Sequence, residues 1–296
     1  MAGPDFICIG AQRAGTSWLY AVLERHPAFW LPPIKELHFF DDPLLGNGSR
    51  YYRFIRMRLV AGLGQRRPLS AWDVRYFLHK RDDAWYCSLF EPGKRRGLLT
   101  GELTPSYATL EEKAFARMRA INPAIKIIFI MRDPIMRSWS SVLKSRQKHG
   151  AQDVLTPEIA IDHSRREGVA SKSSYVETIN RLERVFSKDQ VFYGFFDEMV
   201  SQPTTFVGRL LSFLGAETGN VERILPASPI GSAASGRRPP IEFERALAAQ
   251  FLDDVRVLSD KFDGPPRIWR GRYESLLKED ALSTIPADAL HFKKES

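Results

Sequence analysis

Phe6-Ile7-Cys8-Ile9-Gly10-Ala11-Gln12-Arg13-Ala14-Gly15-Thr16-Ser17 decides the architecture. Four apolar residues closed by a glycine read as a short buried strand. From Thr16 to His26 the period changes. Trp18, Leu19, Val22 and Leu23 fall on one helical face, and Pro27 marks its end. Between strand and helix lies a glycine-bounded loop. Such a loop lets backbone approach a ligand closely, and its amides with the helix N-terminus favour an anion. Two glycines alone predict only a turn. Arg13 inside the loop and the Thr16-Ser17 hydroxyls beyond it point to phosphate.

The same alternation continues outward. Leu98 to Leu103 reads as a strand, and Ala114, Phe115, Met118 and Ile121 mark a helical face ended by Asn122-Pro123. Lys126 to Met131 is the clearest buried strand. A helix from about Pro134 to Lys148 follows, with Pro at a tolerated first position. Residues 150–172 read as irregular or partly helical, Tyr175 to Phe186 as a helix and Gln190 to Phe196 as a strand. Ser201 is expected to cap a helix through Leu214, with Gly215 beyond it. A loop covers 226–240, and Leu247, Phe251, Val255 and Leu258 mark a late helix. Residues 41–95 are less regular, with Tyr51, Tyr52, Phe54, Arg56 and Arg58 among one or two helices. Strands alternating with helices predict one α/β domain over 1–296, a parallel sheet flanked by helices on both faces. Ligands in such folds bind beyond the carboxyl ends of the strands, here after Ile9, Leu103, Met131 and Phe196.

Composition narrows the classes. The 296 residues are 44% hydrophobic and 26% charged, which suits a globular core and excludes compositional disorder. An excess of 43 Lys and Arg over 35 Asp and Glu gives +8, which suits an anionic ligand. No nucleic-acid module is visible. The only cysteines are Cys8 and Cys87, without a Cys-x-x-Cys pair or a histidine cluster. A disulfide framework or zinc site is therefore not expected, and Cys8 reads as a core residue. No stretch has the length to span a bilayer, and no signal peptide is visible. The expectation is a soluble cytoplasmic protein that needs no metal.

The loop spacing is Gly-x-x-x-x-Gly, as in a Walker A loop, which would place Lys where this chain has Thr16. Lys126-Ile-Ile-Phe-Ile-Met-Arg132-Asp133-Pro134-Ile-Met-Arg137-Ser-Trp-Ser140 carries the other half of a phosphate site. The strand delivers Arg132 to its carboxyl end, and the helix carries Ser140 two turns on. An Arg binds phosphate bidentately. The plain alternative pairs Arg132 with Asp133 and leaves Arg137 on the helix surface.

These two motifs, Gly-Ala-Gln-Arg-Ala-Gly-Thr-Ser and Arg-Asp-Pro-x-x-Arg-x-x-Ser, resemble those of sulfotransferases that use 3′-phosphoadenosine 5′-phosphosulfate (PAPS). The resemblance runs from residue 6 to about 260, is weakest over 41–95, and implies a P-loop-like α/β fold. It implies that Gln12, Arg13, Ala14, Gly15, Thr16 and Ser17 hold the 5′-phosphosulfate, and Arg132 and Ser140 the 3′-phosphate. Many family members have Lys at the position of Arg13, so the role implied for Arg13 is electrostatic. Lys35-Glu36-Leu37-His38-Phe39-Phe40 resembles a segment of the glycan-modifying branch, which includes heparan sulfate sulfotransferases and is here matched by a soluble bacterial-like member. There Glu36 corresponds to the catalytic base and His38 to a pocket residue that is also a candidate base. Heparan-type enzymes have Lys where this chain has Leu103. Glu102 is a candidate for orienting loop groups, and Tyr107 reads as core. The Ser232 to Pro240 loop resembles one that covers the nucleotide, with Arg237 or Arg238 reaching a phosphate. The implied reaction moves a sulfuryl group from PAPS to an acceptor hydroxyl, of carbohydrate, lipid or small molecule, and leaves adenosine 3′,5′-bisphosphate (PAP). Competing readings are a P-loop kinase or NTPase, with Asp133 as its acid, and a non-catalytic polyanion binder. Oligomeric state is not legible.

Overall fold

The structure, a computed structural model, describes residues 3–41, 70–78, 81–150, 154–228, 230 and 238–283. Expectations for Tyr51, Tyr52, Phe54, Arg56, Arg58 and Arg237 lie outside these residues.

Among the described residues, five strands form one sheet: β1 (Phe6–Gly10), β2 (Phe29–Trp30), β3 (Leu99–Leu103), β4 (Lys126–Met131) and β5 (Val191–Phe195). Their order is β2-β3-β1-β4-β5, and every pairing is parallel. β1 is central and wholly buried, which is why its sequence is a continuous apolar run rather than an alternation. Its register sets Phe6 against Gly101 and Lys126, and Cys8 against Leu103 and Ile128. Gly101 has a steric reason: a Cβ there would lie 2.3 Å from the Phe6 ring. The chain passes from β1 to one side of the sheet and then returns to the other. The crevice at the carboxyl end of β1, between β3 and β4, is therefore the switch point where such folds bind ligands.

The helix Thr16–Arg25 buries Trp18, Leu19, Val22 and Leu23, as their spacing predicts. The helix Pro134–His149 starts at Asp133, whose carboxylate accepts from the Ile135 and Met136 amides. It ends at Gly150, held at φ 60°. Cys8 is buried in the main core. A second apolar cluster, built from Ile34, Leu37, Phe39, Trp85 and Tyr86, supports the segment after β2.

Several boundaries differ from expectation. β5 stops at Phe195, and a short helix, Phe196–Ser201, turns off its end. Ser201 closes that helix, and Gln202 rather than Ser201 precedes the helix Pro203–Leu214, because Pro203 suits a first turn. Residues 157–165 and 167–170 are helical. A long hairpin, Ile241–Lys261 and Pro265–Ser283, completes the described chain. No described helix is long and apolar enough to cross a membrane.

Candidate active site

The loop after β1 is anchored from below. The Ala11 amide donates to the Ile130 carbonyl of β4 at 2.6 Å. Arg13 takes φ 72° and Gly15 φ 84°, so the chain turns tightly into the helix at Thr16. Gly15 is required twice over. Its φ lies in the left-handed region, and a Cβ would sit 2.9 Å from Met199 Sδ and 3.2 Å from the Phe196 ring.

Two motifs far apart in sequence meet at this loop. Arg13 Nε donates to Ser140 Oγ at 3.0 Å. Arg132 Nη1 donates to the Arg13 carbonyl at 2.9 Å, and its guanidinium lies 4.4 Å from the Phe196 ring centroid. Burial lowers the pKa of both arginines, and in Arg132 the charge of Arg13 adds to that effect. Two crowded guanidiniums beside a loop of amides make an arrangement chemically suited to an anion.

The segment Lys35 to Asp41 faces that site. Ile34, Leu37 and Phe39 are buried in the second cluster, which leaves Lys35, Glu36 and His38 on the opposite side. Glu36 and His38 adopt φ 65° and 53°, strained for side chains of this size. The Phe39 amide is pinned by Tyr107 Oη at 2.8 Å. Lys35 Nζ donates to Ser17 Oγ at 2.7 Å and to Glu36 Oε1 at 3.4 Å. His38 Nε2 lies 3.5 Å from Glu36 Oε2, and His38 Nδ1 lies 2.9 Å from Asp41 Oδ2. Ser106 Oγ also donates to Asp41.

These contacts set the protonation states. Burial pushes the Glu36 carboxyl up, but the His38 hydrogen bond and the Lys35 charge outweigh it and hold it below its usual value. Burial pushes the His38 imidazole down, yet hydrogen bonds to Asp41 and Glu36 outweigh that and raise it to about 9. Asp41 is lowered in turn, burial being overcome by His38 and Ser106. At neutral pH the site therefore holds an ionised Glu36 beside an imidazolium.

A sulfotransferase family model matches residues 4–219. The chain belongs to this family. It is 30% identical over 219 residues to human heparan sulfate glucosamine 3-O-sulfotransferase 3B1, covering 72% of this chain and 46% of that one. It is 24% identical to mouse carbohydrate sulfotransferase 15, covering 95% of this chain and 54% of that one. The chain thus spans about half the length of these curated relatives. A sulfotransferase structure from Alicyclobacillus acidocaldarius superposes with a TM-score of 0.64 at 23% identity, covering 91% of this chain and all of that one. A mouse sulfotransferase, SULT7A1, complexed with PAP gives 0.52 at 15% identity, covering 96% of this chain and 91% of that one. The two structures show that the fold is the P-loop-like sulfotransferase fold.

Of the residues singled out in the sequence, Arg13 meets Ser140 and Arg132 at the loop, and Lys35 links Ser17 to Glu36, which lies beside His38. Thr16 is buried and Ser17 exposed. Arg238 is exposed and takes part in none of the contacts above. Arg137 corrects the surface reading: it is fully buried. It donates to Ser173 Oγ and to Val169 O, and its Nη1 has no hydrogen-bond partner among the described residues. Burial pushes it down to about 10. Asp133 does not pair with Arg132. It takes Tyr273 Oη at 3.0 Å and Arg272 Nη1 at 3.1 Å, both from the last helix. Tyr107 is core, as expected, and also holds the Glu36 loop. Glu102 lies beneath, accepting from Tyr86 Oη at 2.5 Å and Thr104 Oγ1 at 2.6 Å. Burial raises it to about 7. Leu103 is buried. Sequence reasoning missed Asp41, Phe196 and the contact of Lys35 with Ser17. The spacing Glu36-x-His38-x-x-Asp41 was the available signal for Asp41. No described group of His, Cys, Asp or Glu could hold a metal ion.

Proposed function

We propose that this sulfotransferase moves a sulfuryl group from PAPS to a carbohydrate hydroxyl, with Glu36 as general base. The observation that carries the reading is the Glu36 carboxylate joined to the phosphate-loop helix through Lys35 and Ser17 and lying 3.5 Å from His38 Nε2, contacts that favour an ionised carboxylate and a protonated histidine. A base must be unprotonated and near the hydroxyl it serves, and Glu36 meets the first condition where His38 does not. The relatives named for heparan sulfate glucosamine and carbohydrate sulfation favour a glycan acceptor. The residues present fit the donor. The loop amides and Arg13 suit a 5′-phosphosulfate, Arg132 and Ser140 suit a 3′-phosphate, and a Cβ at Gly15 would crowd the loop that holds them.

In this scheme Arg132 and Ser140 orient the nucleotide, and the loop amides fix the phosphosulfate for in-line attack. Glu36 takes the acceptor proton. Arg13 stabilises the charge that grows on the phosphate oxygen. His38, charged, is tethered to Asp41 through Nδ1 and holds Glu36 in place through Nε2. The kinase reading is disfavoured because the Asp133 carboxylate is engaged by two helix amides, Tyr273 and Arg272.

Incubation with sulfur-labelled PAPS and a panel of glycans, lipids and phenols tests the reading. The expected result is label on a carbohydrate and release of PAP. Label on a phenol alone would overturn the acceptor class, and absence of PAP binding would overturn the donor.

A further inference from the structure

We propose that Lys35 is a transferable counter-charge, its ammonium pairing with Glu36 before the reaction and with the departing phosphate oxygen after it. This rests on the reading of the site as a PAPS-dependent centre. Lys35 Nζ stands between the two halves of that centre. It donates 2.7 Å to Ser17 Oγ, in the first turn after the phosphate loop, and 3.4 Å to Glu36 Oε1. Its side chain is only 24% exposed. An ammonium has three donors, so one N–H remains for an oxygen arriving at the loop. An ordinary surface ion pair would hold Glu36 alone; this one reaches back to the first turn of the helix that follows the phosphate loop.

The charge balance of the transfer gives the arrangement its purpose. Glu36 accepts the hydroxyl proton. The acceptor oxygen forms a bond to sulfur. The bond from sulfur to the 5′-phosphate oxygen breaks, and its electron pair stays on that oxygen. One negative charge has left Glu36 and one has appeared on the phosphate, with no change in the total. A cation fixed between the two positions is paired at the beginning and at the end. Arg13 is less suited to this exchange, because its Nε is committed to Ser140 on the far side. A cation that binds more strongly as the leaving oxygen becomes anionic lowers the barrier.

Lys35→Gln and Lys35→Arg test the proposal through PAP calorimetry and the pH profile of kcat/KM. The charged groups facing Glu36 are Lys35 and His38. His38 in turn faces Asp41, beside Ser106 of the Pro105–Thr109 turn, with Glu102 buried below. Loss of Lys35 leaves His38 alone to hold Glu36 ionised, so the acid limb of kcat/KM should move to higher pH. Plateau kcat should fall about tenfold or more, and PAP affinity by a similar factor. Lys35→Arg should restore the position of the acid limb. Thermal stability measured alongside separates a structural role: a lowered Tm with an unmoved acid limb and unchanged PAP affinity overturns the proposal. Wild-type protein that does not bind PAP overturns the donor reading and this proposal together. Wild-type turnover with an indifferent Lys35→Gln overturns this proposal alone.

Discussion

The choice between Glu36 and His38 as base can be decided by pH alone, and the structure sets the size of the signal. With a pKa of about 9, His38 is neutral at pH 7 in only about one molecule in a hundred, two units below its midpoint. A histidine base would make kcat/KM climb about tenfold per pH unit from 7 towards 9. A Glu36 base, lowered from its ordinary value, gives a flat profile across neutrality and a fall only on the acid side. Glu36→Gln is the matching perturbation, because it keeps the shape and removes proton acceptance. Turnover should drop by about a hundredfold or more while PAP affinity stays close to wild type. NMR titration of the imidazole gives an independent reading. In the wild type its midpoint should lie near 9, and in Glu36→Gln it should fall but stay above 6.5, because Asp41 remains at 2.9 Å. The sign for stability follows. A raised histidine pKa stabilises the fold fully below the unfolded value and ceases to do so as pH rises through the folded one. The side chain is 43% exposed, so solvent screening reduces the contribution to about 1 kcal/mol. Stability should decline by that amount between pH 6.5 and 9, the two values that bound the window. A rate rising steadily to pH 9, or a Glu36→Gln variant with more than about a tenth of wild-type turnover, refutes the reasoning.

Other outcomes follow from the donor side. Arg132→Ala should weaken PAP by roughly ten- to a hundredfold and adenosine 5′-phosphate little, the loss of one charged hydrogen bond; equal losses in calorimetry would detach Arg132 from the 3′-phosphate. Gly15→Ala places a side chain at φ 84° with Cβ 2.9 Å from Met199 Sδ. It should cost about 1–2 kcal/mol from backbone conformation and about 1–3 kcal/mol from crowding, read by urea unfolding, together with loss of PAP binding. Tyr273→Phe removes the phenol that donates to Asp133 and accepts from the Ile135 amide, and should lower stability by about 1 kcal/mol.

The parts of the fold legible in sequence are those whose signal is local. β1 and β4 read as continuous apolar runs because both of their faces are covered, and the helix after each begins at a glycine or a proline. β2 was invisible because two residues carry no period. The helix Pro265–Ser283 was hidden by its two opening prolines and by Gly271. Yet Trp269, Tyr273 and Leu276 stand at helical spacing on its buried side. Arg132 and Ser140 could be placed near one strand end from sequence because one strand and one helix carry them, and each contacts Arg13. Lys35 with Ser17, and Asp133 with Tyr273, could not be paired, since nothing local encodes contacts across loops and chain ends. Arg137 was misread for a related reason. Its helix looks amphipathic, and only the packing of residues 169–173 over it buries the charge.

The cap on the helix that carries Ser140 has a consequence for how the protein is made. Asp133 waits for partners that lie 139 and 140 residues downstream. At about 5–20 residues per second, a ribosome needs roughly 7 to 28 s to deliver them after Asp133 has been added. All five strands exist well before then, since the last ends at Phe195. A nascent chain halted near residue 260 would carry the whole sheet and both phosphate motifs, but its Asp133 would still lack Arg272 and Tyr273. The end of β4 that positions Arg132 is thus among the last parts of the molecule to reach its final set of bonds. Premature release should yield a species with an assembled sheet and a loosened anion site.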